Sequence, residues 1–213
     1  MTVNEILAHL KTRPLAVAGV VAANLIPVFG VIFLGWDAVQ ILILYWAENV
    51  LLGLLTIPRL LVASRDKPGA ALFLAGFFTV HYGLFCLAHL FFAMLLISDV
   101  VDQGGTMIGA FLAIVRQASF QWAVVALAVL NLATQIREWW WPGKWRGADP
   151  KTEMFKPYGR IFVLHLTVLI GAGLVLSLGG PAGAVLILCL MKAALELGLV
   201  AFGSVPRTDA EPA

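Results

Sequence analysis

The sequence predicts an all-α protein, a polytopic membrane bundle of six transmembrane helices with both termini on the inner side (N-in, C-in). Three observations carry that expectation. Of 213 residues, 61% are hydrophobic and only 12% charged, about half the charge of an average soluble domain. The apolar residues form six runs, each long enough to cross about 30 Å of hydrocarbon at about 1.5 Å per helical residue. The third is where the cations lie. With six spans and an inner N-terminus, the inner segments hold Lys11, Arg13, Arg59, Arg65, Lys67, Arg137, Lys144, Arg146, Lys151, Lys156, Arg160 and Arg207, twelve of the fourteen Lys and Arg. That is the positive-inside rule.

The elements follow in order. Val3, Ile6, Leu7 and Leu10 recur at helical spacing among Asn4, Glu5, His9 and Lys11, which predicts a short amphipathic helix on the membrane surface. The first span is 14–34, with Pro27 expected to kink it and Asn24 placed to bond another helix. Gly35-Trp36-Asp37 reads as a short turn with Trp36 at the interface. The second span, 37–62, carries Glu48 near its middle, where a charged side chain costs about 2.5–3.5 kcal/mol. A polar turn leads to the third span, 70–97. The apolar piece from Met107 to Val115 is too short to cross and reads as re-entrant or interfacial.

The fourth span, 120–140, ends in Trp139-Trp140-Trp141-Pro142-Gly143-Lys144-Trp145-Arg146, an aromatic belt with basic anchors. A polar loop, 148–157, precedes the fifth span, 158–178. Gly179-Gly180-Pro181 turns the chain into the sixth, 182–202. Residues 1–202 thus form one bundle, and 203–213 read as a disordered tail. No signal-peptide pattern is expected at the N-terminus, and Cys86 and Cys189, both inside apolar runs, do not suggest a disulfide framework. The location this predicts is the cytoplasmic (inner) membrane, with the lipid bilayer as partner and a second copy of the chain as a candidate one.

Helical rise sets the depth of each polar side chain. Glu48, His81 and Lys192 fall near the midplane, His165 and Glu196 about 10 Å from the inner face, and Cys86, His89 and Cys189 in the outer half. Periodicity then sets their faces. Tyr45, Glu48 and Asn49 cluster on the second span, His81, Tyr82, Cys86 and His89 on the third, Asn131, Thr134, Gln135 and Glu138 on the fourth, and Cys189, Lys192 and Glu196 on the sixth. One shared polar interior is the economical arrangement. Glu48, His81 and Lys192 are expected to meet there, with Asn49 and Tyr82 within bonding reach.

Three roles suit such an interior. Ion pairs and hydrogen bonds could simply fix helix register. The best specific role is proton- or cation-linked binding or transport along the ladder His165, Glu196, Lys192, His81, Glu48 and His89. A membrane-embedded enzyme using a metal or haem is the alternative, with Glu48 and His81 as candidate metal ligands. No cofactor is identified by a motif. A phosphate loop, a His-Glu-x-x-His pair and a Gly-x-Ser-x-Gly elbow are all absent from the sequence. Nucleic acid is not an expected partner, since the basic loops are explained by orientation and anionic lipid.

Trp36, Tyr45-Trp46-Ala47-Glu48-Asn49 and His81-Tyr82-Gly83-Leu84-Phe85-Cys86-Leu87-Ala88-His89, with Leu164-His165 and Leu190-Met191-Lys192, resemble a family of small bacterial multi-pass membrane proteins of unknown function. The resemblance covers nearly all of the chain and leads one to expect aspartate where Glu196 stands. It implies that Glu48, His81, His89, His165 and Lys192 belong together, and it implies no activity.

Overall fold

The computed structural model describes residues 11, 14–95, 105–178 and 182–202. The expected N-terminal surface helix, most of the loop before Gly105, the turn at 179–181 and the tail lie outside the described residues. The protein is all-α. Its helices are α1 (Pro14–Leu34), α2 (Ala38–Ala63), α3 (Pro68–Leu95), α4 (Met107–Val115), α5 (Ala118–Gln135), α6 (Pro150–Leu178) and α7 (Ala182–Phe202). A π-helical turn, Ile136–Trp140, continues α5, and a 3-10 turn covers Lys144–Gly147. Among the described residues, four stretches are long and apolar enough to cross a membrane: Ala16–Leu34, Ala38–Ala63, Pro68–Leu95 and Ala118–Trp140.

Local chemistry fixes the helix ends. Gly35 at φ +68° turns the chain between α1 and α2, a left-handed conformation glycine adopts without steric cost. Asp37 then caps α2. Its carboxylate accepts from Gln40 N (2.8 Å), and Gln40 Oε1 accepts from Asp37 N (3.0 Å), which closes a capping box. Asp149 Oδ2 accepts from Thr152 N (2.8 Å) and Thr152 Oγ1 (2.7 Å), and Pro150 follows as the first helical residue. This cap starts α6 eight residues before the apolar run at 158. Trp36 is buried at 5% exposure, tilted against Phe120 and lying across Gly30, where any Cβ would collide with its ring.

The packing order explains where polar residues meet. Helix α1 packs on α5 and α7, α5 on α2, α2 on α6, and α6 on α7. Those five helices therefore close a ring. Helix α3 stands outside it, against α2 and α6. Ile41, Leu42, Ile43 and Leu44 of α2 are essentially fully buried in the main core. A second apolar cluster, Leu60, Phe78, Tyr82, Cys86, Met154 and Ile161, joins α3 to α2 and α6. Tyr82 lies so close to α2 there that a Cβ on Gly53 would stand 2.7 Å from its ring.

Candidate functional site

Each helix of the ring sends at least one polar side chain inward. Lys192 of α7 is at the centre, 2% exposed, with Nζ 2.9 Å from Glu48 Oε2 of α2 and 2.9 Å from Glu196 Oε1 one turn along its own helix. Its ammonium also lies 4.4 Å from the centroid of the Tyr45 ring, so the third face of the cation meets π electrons. Asn24 Nδ2 of α1 donates to Glu196 Oε2 (2.7 Å). Arg160 of α6 is 3.7 Å from Glu48 Oε1 through one guanidinium nitrogen, and the same nitrogen donates to Asn131 Oδ1 of α5 (3.3 Å). Two carboxylates thus face two cations. Charge is balanced, yet Glu48 Oε1 has no hydrogen bond and Asn24 Oδ1 has none either.

The cluster forms one wall of a cavity of about 420 Å³ between α1, α5, α6 and α7, where Glu48, Glu196 and Arg160 face Asn131, Thr134 and Glu138. A second cavity of about 360 Å³ adjoins it on the α2 side and shares Asn131, Thr134, Glu138, Lys156 and Arg160 with it. The lining residues come from the beginning of α6 and the ends of α2 and α5, so both cavities sit toward one end of the bundle. At that end Glu153, 4% exposed, pairs with both Arg59 and Lys156. Glu138 and Trp139, on the π turn that continues α5, line this region. Such turns recur at functional sites.

His81, His89 and His165 do not join the ion cluster. His81 is exposed, and its Nδ1 meets Tyr158 Oη at 2.7 Å while the ring stacks on Phe77. His89 is buried; its Nδ1 donates to Phe85 O (2.7 Å), which leaves Nε2 to face His165 Nδ1 at 3.3 Å. The step of eight residues from His81 to His89 on α3 matches seven from Tyr158 to His165 on α6. These two helices therefore run side by side and parallel, with α6 displaced from the depth that an origin at residue 158 would give. The cause is the early start of α6. Asn49 and Tyr82 bond each other, Tyr82 Oη donating to Asn49 O (3.2 Å), but neither bonds Glu48 or Lys192. Glu48 and His81, candidate joint ligands, point to different partners, and among the described residues no three His, Cys, Asp or Glu stand together as a metal set. Cys86 and Cys189 are free and buried.

Sequence reasoning missed Arg160, which it counted as an inner anchor. The signal was the Asp149-Pro150 cap, which moves Arg160 about three turns into its helix. Trp139, one residue of the aromatic belt, makes a contact that the sequence did not signal. It is 4% exposed and carries the Arg59 guanidinium 4.9 Å from its ring, and Trp141, at 87%, is the residue that stands clear.

Residues 7–212 match the sequence model of a family of unknown function, DUF6498. The chain belongs to that family. No curated protein and no solved structure matches this DUF6498 chain, so its chemistry has to be read from its own residues.

Proposed function

We propose that the protein crosses the cytoplasmic membrane six times with both termini inside, and that it binds a proton or small cation at the Glu48–Lys192–Glu196–Arg160 cluster, entering through the adjoining cavity. The six apolar runs and the bias of Lys and Arg support the topology. The observation that carries the activity is Glu48 Oε1. It is a buried carboxylate oxygen with no donor, on a residue that lines a cavity large enough for a small solute. An incoming proton or cation satisfies that oxygen and weakens the hold of Lys192, so binding and rearrangement of the ion pairs are coupled. The histidine seam belongs to a separate contact between α3 and α6, so the ladder narrows to the carboxylates of the ring.

A purely structural role for the same ion pairs is the rival reading, favoured by the balanced charge. Proteoliposomes with an internal pH dye, driven by a potassium gradient and valinomycin, separate the two. Proton flux above that of empty liposomes across about pH 5 to 8, lost in Glu48→Gln, is expected. Flux equal to empty liposomes, with alkali and alkylammonium cations supplied in turn, leaves only the structural role.

A further inference from the structure

The second cavity has the opposite chemistry from the first. Its walls carry Arg59, Lys144, Lys156 and Arg160 against one lining carboxylate, Glu138. Arg160 already faces Glu48, and Arg59 and Lys156 share a single counter-ion, Glu153, one on each oxygen, so Arg59, Lys144 and Lys156 against Glu153 and Glu138 leave one positive charge in excess. Two buried donors on its lining residues are also unpaired: the indole nitrogen of Trp139 and Nε of Arg59. Trp139 is itself 4% exposed. A buried donor without an acceptor loses its hydration and gains nothing in return. The Trp139 ring lies under the Arg59 guanidinium and so fixes its direction.

We propose that this cavity is a binding site for a phosphate group. A phosphate presents several acceptor oxygens in a tetrahedral array, and it matches several converging cations better than a carboxylate or a halide does. At about 360 Å³ the space admits a phosphate with an organic substituent. The source is either a soluble phosphate or the headgroup of an anionic lipid, because the basic segments here are those expected at the inner membrane surface. This site shares Arg160 with the cluster above but does not rest on cation binding there, and its test substitutes none of that cluster's residues.

The test takes the full chain in uncharged maltoside micelles at low ionic strength. The unfolding midpoint is followed against inorganic phosphate, with chloride at matched ionic strength as the control. A parallel arm adds phosphatidylglycerol and counts retained lipids by native mass spectrometry. Phosphate is expected to raise the midpoint saturably, at concentrations where chloride does not. Trp139→Phe keeps an aromatic face under Arg59 and removes the donor, so, whatever its own phosphate-free midpoint, it should raise the half-saturating concentration about tenfold. Lys144→Gln, at an exposed position, should raise it up to about fivefold, and decides the matter should Trp139→Phe not fold. Retention of phosphatidylglycerol that these variants weaken, without a response to free phosphate, assigns the site to a lipid headgroup. No response to either ligand, or a response that both variants leave unaltered, overturns the proposal.

Discussion

Lys192→Met removes the one cation that touches both buried carboxylates, and its effect follows from the distances. Each contact is 2.9 Å, which at an effective dielectric near 20 is a gross attraction of about 6 kcal/mol. Desolvation of several kcal/mol per ion and the mutual repulsion of Glu48 and Glu196 offset most of it. What matters in the variant is the residue left behind. Glu196 keeps Asn24 and Glu48 keeps only Arg160 at 3.7 Å, so two carboxylates stand buried with one cation near them. Loss of one partner from a buried pair costs about 3–5 kcal/mol, out of a total of about 5–15 kcal/mol for a typical domain. Glu48→Gln combined with Lys192→Met removes one charge of each sign and should be more stable than either single variant, with a coupling of about 0.5–3 kcal/mol. Equilibrium unfolding in mixed micelles, followed by far-UV circular dichroism, measures all four members of the cycle. Strict additivity, or a loss below about 1 kcal/mol for Lys192→Met, would refute the reasoning.

Gly53→Ala should destabilise by about 1–3 kcal/mol through overpacking, because its Cβ falls 2.7 Å from the Tyr82 ring. Gly76→Ala, with nothing within 4 Å, is the matched control in the same unfolding assay. Hydrogen bonds from Thr152 hold the Asp149 carboxyl below its ordinary value. The stability this cap contributes is therefore complete above an ordinary aspartate pKa of about 3.9 and is lost as pH falls through the lowered value; a carbon-detected titration of Asp149 in wild type and in Thr152→Ala checks the direction, with the variant titrating higher. Reporter fusions after Ser64 and after Gly104 should report inside and outside respectively, and the reverse pattern would invert the topology.

The helices were legible because run length and patterning are local properties. Pro14–Leu34 coincides with the first apolar run, and α4 covers the short piece from Met107 to Val115. What periodicity cannot supply is which helix neighbours which. The polar stripe of α3 reads as well as that of α2, yet α3 lies outside the ring, and so His81 meets Tyr158 while Glu48 meets Lys192. Depth failed for a different reason. Counting from residue 158 ignored the capped polar extension of α6, which carries His165 to the level of His89 and Arg160 into the ion cluster. Asn24, read as a residue that bonds across to another helix, does so at Glu196.

The pairing of Glu48 with Lys192 also sets a clock on biosynthesis. The two residues are 144 positions apart. At about 5–20 residues per second of elongation, roughly 7–30 s pass between their syntheses. For most of that interval α2 is complete while Lys192 is still absent, and the ring of helices cannot close. A chain truncated before α7 lacks the 2.9 Å partner of Glu48 and leaves it only Arg160 at 3.7 Å, in a setting where an unpaired charge costs about 2.5–3.5 kcal/mol. Helix α7 therefore sets the moment of closure: only a chain synthesised past Lys192 contains the residue that lets the second helix settle.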